Sequence, residues 1–234
     1  GEVSVRALRQ QPENGWDDEC ASKRSACLDA LLEAGLAIDR PAWRGACALV
    51  LACLAKDTPL VLALLARRAS PEGQHGPEAP PIYRLSPLEA SIVTHNETAV
   101  AALLRAGANP LRASSMGPQL PGAEVTLTEL AGGMGQAGML SALANTLGSK
   151  RHPELVKAWT FALIQGNDEA VGWFLSNGMR WDEPDATGRL PIHMAARHGQ
   201  GSIIERLEKE GASLEQKDGQ GYSGWDHLRA SPHG

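Results

Sequence analysis

The feature that most constrains this chain is a period. Apolar segments ending in an LLxxG-like element recur along almost its whole length. The first apolar residues of these elements are Leu31, Leu64, Leu103, Leu143, Phe174 and Leu207, spaced by 33, 39, 40, 31 and 33 residues. Asp185 and Asp218 are also 33 apart, as are Gly188 and Gly221. A repeat of roughly 20–50 residues implies a solenoid, in which each unit buries its apolar face only against its neighbours.

Each unit carries its own local signals. Pro87 and Pro191 stand where a first helix begins, a position at which the missing N–H would be unpaired anyway. Ala90, Ala195 and Ala196 are small enough for neighbouring helices to approach closely. Gly135, Gly166 and Gly199, or the polar His95, break the chain between two antiparallel helices. Ile203, Ile204 and Leu207 form one apolar stripe on a second helix. Gly35, Gly107, Gly178 and Gly211 follow second helices, where a left-handed residue is favoured. Aromatic residues make up only 4% of the chain against 43% hydrophobic residues, so alanine and leucine must fill the core.

These units resemble the ankyrin repeat family. The resemblance is best in GRLPIHMAARHGQGSIIERLEKEGASLEQKD, from Gly188, and next best in SPLEA and LLRAGANP, between Ser86 and Pro110. It covers roughly residues 15–230 but is degenerate outside these segments. It implies an all-α solenoid of antiparallel helix pairs joined by finger loops. The expected organisation is an N-terminal extension or cap at 1–14, where VSVRALRQQ is compatible with a helix. About six repeats and a C-terminal half repeat follow over 15–230, then a tail at 231–234. The last unit has a first helix, SGWDHLRA, and no second one. Either Trp225 and Leu228 close the array or the natural protein continues. Gly1 is compatible with a trimmed or mature end.

Two long spacings mark finger insertions at 67–87 and 109–126, both rich in Pro, Gly and Ser and therefore loops. They are consecutive and should lie side by side. Either they form a contact surface carrying Ile82, Tyr83, Leu85, Leu111, Met116 and Leu120, or they are tolerated surface insertions. The short spacing of 31 accompanies SKRHPELVKAW and leaves no room for a full finger. Lys150, Arg151, His152 and Lys157 make a basic cluster there, either simply solvated or facing an acidic partner.

His193 and His198 raise the question of a metal or catalytic pair. At about 100° per residue, i and i+5 point to different faces of a helix, so they do not form a chelating pair. The resemblance places His193 at the family's structural histidine, bonded to backbone at the start of a helix pair. Glu89, Glu129, Thr160, Asp226 and Asp17 hold the matching positions elsewhere.

Other function classes find little support. The net charge is −5, which gives no general attraction to nucleic acid. The most apolar stretch, 46–66, is interrupted by Lys56, Asp57 and Pro59, so two short helices are expected and no membrane insertion. Cys20, Cys27, Cys47 and Cys53 form no C-x-x-C motif, which favours reduced thiols and an intracellular, cytoplasmic setting. No phosphate loop, nucleophile elbow or H-E-x-x-H motif occurs. The expectation is therefore no enzyme, no cofactor, no metal and no small-molecule substrate.

The resemblance implies a scaffold that binds another protein through finger tips and the exposed side of first helices. Counting along the repeat, the candidate contact residues are Trp43, Arg44, Ile82, Tyr83, Leu85, Thr187, Arg189, Arg197, His198 and Tyr222, although Trp43 could equally pack on the next repeat. A second reading is a segment of a larger multidomain protein that positions an enzymatic or membrane domain. Arg outnumbers Lys by 16 to 6, which suggests a GC-rich genome. In such bacteria degenerate arrays are often secreted effectors that bind host proteins.

Overall fold

The computed structural model describes residues 18–41, 43–115 and 124–231. Their elements are α1 (Asp18–Glu33), α2 (Ala48–Leu54), α3 (Thr58–Ala66), α4 (Pro87–Val93), α5 (Glu97–Arg105), α6 (Leu127–Met134), α7 (Ala137–Leu147), α8 (Pro153–Gln165), α9 (Asp168–Ser176), α10 (Pro191–Arg197), α11 (Gly201–Lys209) and α12 (Gly224–Arg229), with short 3-10 turns at Trp43–Gly45 and Pro81–Tyr83. There is no strand among the described residues. Isolated bridges in the fingers join Ala46 to His75, Ala113 to Thr126 and Lys217 to Ser223.

The helices form two layers. α2, α4, α6, α8, α10 and α12 stack in order in one layer, and α1, α3, α5, α7, α9 and α11 in the other. Five helix pairs run from α2 to α11, flanked by α1 and α12. The first unit differs from the expected pair: among the described residues it supplies only α1, which packs on α3 in the second layer.

The helix starts are set locally. Asp57, Ser86, Asn96, Thr126, Asn167 and Ser223 each accept a hydrogen bond from a backbone N–H of the first turn, which satisfies a donor the helix itself cannot. Pro87, Pro153 and Pro191 stand in the first turns of α4, α8 and α10.

One continuous core lies between the layers. Fully buried Ala90, Ala131, Ala158, Ala162, Ala195 and Ala196 let the first helices approach one another. Leu103, Leu140, Leu143 and Leu207 fill the space beneath the second helices. Phe174 takes Trp159 and Trp173 edge-on, at 5.7 and 5.1 Å between ring centroids.

α8 breaks the regularity. It has 13 residues where α2, α4 and α10 have 7. By the 33-residue register its start at Pro153 corresponds to Ala186, which lies in a finger of the next unit. A helical turn thus replaces the returning strand of a finger. Gly132 of α6 meets the backbone of α8 at Ala158, and Gly133 meets the ring of Phe161. The glycines of GGMGQAG therefore serve close packing of two helices.

Candidate interaction surface

The fingers of the last two units are built around buried or half-buried aspartates. Asp185 Oδ1 accepts from the Thr187 N–H, the Thr187 hydroxyl and the Arg189 N–H, while Oδ2 accepts from the Arg189 guanidinium at 2.9 and 3.1 Å. Burial would raise the Asp185 carboxyl, but the bonds from Thr187 and Arg189 outweigh it and bring the pKa to about 2. In the next finger Asp218 Oδ1 accepts from the N–H groups of Gln220 and Tyr222, and Oδ2 is 2.8 Å from His227 Nε2. Here too burial raises the carboxyl and is outweighed, chiefly by the bond from His227, so Asp218 titrates below the usual range. His227 thus replaces the arginine of the preceding finger. Sequence reasoning passed over it; the register match of Asp218 to Asp185 was the available signal.

The two fingers lie side by side. The Gly219 N–H donates to the Gly188 carbonyl at 3.0 Å. Gly188 has φ +78°, and a Cβ there would stand 2.7 Å from Gly219 Cα, so this contact requires glycine.

His193 is fully buried. Its Nδ1 accepts from the Leu190 N–H at 3.0 Å, and its Nε2 bonds the Gln216 carbonyl at 2.8 Å. The ring therefore ties α10 to the following finger. Its ring neighbour is His227, at 5.3 Å between centroids, and not His198. Glu89 does similar work, accepting from the hydroxyls of Ser114 and Ser115 and from the Ser115 N–H. Glu129 and Asp226 reach back to the N–H groups of Thr126 and Ser223. Thr160 also bonds backbone, but inside a helix and not at its start. It holds the register, but α8 has begun well before it, and its hydroxyl bonds the Val156 carbonyl inside the helix. Asp17 lies outside the described residues.

The structure divides the expected contact residues into two groups. In the first long finger the Arg44 guanidinium lies over the Tyr83 ring at 5.8 Å from its centroid. Ile82 is 46% exposed. Tyr83 is half-buried and packs against the core. Leu85 is 2% exposed and belongs to the core. That corrects its assignment as a contact residue: the 3-10 turn Pro81–Tyr83 and the start of α4 place it inward. Leu111 is exposed on the second long finger. Met116, Leu120 and the side chain of Trp43 lie outside the described residues. The second group comprises Thr187 and Arg189, both bound to Asp185, with Arg197 exposed in the last turn of α10, His198 at its C-cap, and Tyr222, 54% exposed, on the last finger.

The basic cluster does not act as one patch. Arg151 donates to the Gly178 carbonyl and faces Glu183, Lys157 pairs with Glu154 at 2.7 Å, and His152 accepts from the Glu154 N–H. Among the described residues no group of three His, Cys, Asp or Glu could hold a metal ion, and no helix is long and apolar enough to cross a membrane.

Comparison with known proteins agrees with this architecture. Residues 160–208 match the family model described as ankyrin repeats (many copies). No curated protein matches the chain. Among solved structures, the human ASB11 ankyrin repeat domain superposes with a TM-score of 0.61 at 23% identity, over 91% of this chain and 89% of that one. EF0377, an ankyrin repeat protein, superposes with a TM-score of 0.53 at 21% identity, over 78% of this chain and 90% of that one. Ankyrin repeats are generally protein–protein interaction modules, and the fold is typically a non-enzymatic scaffold. The chain thus has the ankyrin-repeat fold, and within it residues 160–208 also match the ankyrin-repeat family model by sequence.

Proposed function

We propose that this protein is a scaffold that binds another protein through its finger row and the exposed side of its first helices. The observation that carries this reading is that large side chains, Ile82, Leu111 and Tyr222, stand exposed on finger loops whose backbones are hydrogen-bonded to the array. Aromatic and arginine side chains on such a support lose little freedom on binding and often dominate interface energy. Contact residues come from Arg44, Ile82 and Tyr83 on one side, and Thr187, Arg189, Arg197, His198 and Tyr222 on the other, with Trp43 near the first group by sequence. A narrower form, a secreted effector that binds a host protein, draws support from composition alone. A reducing, intracellular setting is supported by the free thiols of Cys27, Cys47 and Cys53. The test is affinity capture with the intact protein and with a form carrying Ile82→Ser and Tyr222→Ala. A partner held by the intact protein and lost by the variant supports the proposal; equal recovery by both refutes a finger-row interface.

A further inference from the structure

The last two fingers hold the same carboxylate in different ways. Asp185 meets Arg189, whose charge is permanent, and the Asp185 side chain is 25% exposed. Asp218, 33 residues on, has a side chain only 1% exposed, and the group that can turn cationic beside it is His227, at 2.8 Å. Histidine changes charge near neutral pH. A buried carboxylate needs a counter-charge or full hydrogen bonding. In this finger the counter-charge comes and goes with a proton.

The surroundings direct that proton to His227. The competing base is His193 on α10, 5.3 Å away between ring centroids. Its Nδ1 accepts from the Leu190 N–H, so its own proton sits on Nε2 and points at the Gln216 carbonyl. A second proton on His193 would have to displace the Leu190 N–H inside the core. His227 Nε2 faces an ionised carboxylate, and its Nδ1 makes no hydrogen bond among the described residues. A proton added there breaks nothing. Asp226 brings a second negative charge near the ring, although it also pairs with Arg229 at 3.8 Å. Arg197 stands exposed at the C-terminal end of α10, and Lys217 of the finger is exposed. Two positive rings at this spacing would repel, so one of the pair takes the proton. Tyr222 is tied to the same group three times. Its N–H donates to Asp218 Oδ1 at 3.0 Å, its carbonyl accepts from the Asp218 N–H at 2.8 Å, and its ring meets that of His227 edge to face at 6.2 Å between centroids.

We propose that Asp218, Tyr222 and His227 form a proton-operated clasp: protonation of His227 turns its bond to Asp218 into an ion pair that fixes the last finger and the exposed Tyr222, and loss of the proton loosens both. The consequence for binding rests on the scaffold reading above: contacts made by Tyr222 to a partner strengthen as pH falls through the histidine range.

The test is amide hydrogen exchange, followed by NMR on the whole chain and corrected for the intrinsic pH dependence of exchange. It reads the Gln220 and Tyr222 N–H groups, both bonded to Asp218 Oδ1. In the parent their protection should rise about threefold or more between about pH 8 and about pH 5.5. His227→Gln keeps a neutral donor and should abolish the step. His227→Arg carries a permanent charge, as Arg189 does in the preceding finger, and should hold protection high at every pH. A parent without a step, or a step that survives in either variant, overturns the clasp. If His227→Gln leaves the finger unprotected at every pH, the parent decides: the Gln220 and Tyr222 signals must move with the same midpoint as the His227 ring, and a different midpoint overturns it. No partner enters these measurements. Their failure therefore sinks the clasp alone, and failure of partner capture sinks the scaffold reading while leaving the clasp standing.

Discussion

Replacing Gly132 by alanine sets helix propensity against packing, and the two predict opposite signs. Gly132 lies in α6 against α8, and a Cβ built there stands 2.2 Å from the Ala158 carbonyl oxygen and 2.9 Å from its Cα. Ordinary contact begins near 3.4 Å, so the α8 backbone must retreat by about 1.2 Å. Backbone cannot rotate aside as a side chain can. The retreat would open contacts around Ala131, Leu155, Ala158 and Ala162, all fully buried. Inserting a methyl group into a packed core typically costs about 1–3 kcal/mol, and a clash with backbone belongs at the upper end. Alanine gains about 1 kcal/mol over glycine in a helix. The net expectation is a loss of about 2 kcal/mol, or a melting midpoint lower by about 4–8 °C for a protein of this size. Gly201→Ala is the control, because a Cβ on α11 there meets nothing within 4 Å; it should leave the midpoint unchanged or raise it. Thermal melts followed by far-UV circular dichroism decide the matter. A Gly132→Ala midpoint at or above that of the parent would show that the direct α6–α8 contact is not as close as described.

Other substitutions test the fingers and the buried thiols. His193→Ala leaves the Leu190 N–H and the Gln216 carbonyl without their partner, and should cost about 2 kcal/mol or more in urea unfolding; a loss under about 0.5 kcal/mol would mean that neither bond matters. Asp185 has a folded pKa of about 2, below its unfolded value of about 3.9. Its contribution is therefore complete above about pH 4 and is lost as pH falls through 2. The stability gap between the parent and Asp185→Asn should be roughly 2 kcal/mol at neutral pH and should close in acid; a gap independent of pH refutes the assignment. Burial pushes the Cys53 thiol up to about 12, partly offset by a hydrogen bond with Ser91, whereas Cys27 is exposed. Thiol reagents should therefore label Cys27 in the native protein and Cys53 only on unfolding; equal native rates would contradict the burial. Tyr83→Ala should lower stability by about 1 kcal/mol, because Tyr83 packs on the core beneath Arg44. Ile82→Ala should change it by less than about 0.5 kcal/mol, and the reverse order in melts would place Tyr83 outside the core.

Much of the fold was legible because its signals are local. Pro87 and Pro191 open helices, and Leu103 and Leu207 recur at the same place in their second helices. These depend on residues within a turn or two, so a period in the sequence becomes a period in space. The role of His193 at a helix start came from the family resemblance, and the structure shows its ring bonded to the Leu190 N–H and the Gln216 carbonyl. What only the tertiary structure decided concerns contacts between units. Leu85 and Tyr222 occupy the same position before a helix cap, yet one is buried and the other exposed. The difference arises because the finger ahead of α4 folds a 3-10 turn beside Leu85, while the last finger leaves Tyr222 at the edge. Thr160 matches His193 in register but caps nothing, because Pro153 starts α8 early and the helix runs through the place where a finger would end. The pairing of Asp218 with His227, and their approach to His193, joins residues of two units. Sequence alone determined that the units repeat; which side chain of each unit faces water was decided by how its finger or first helix folds back onto the array.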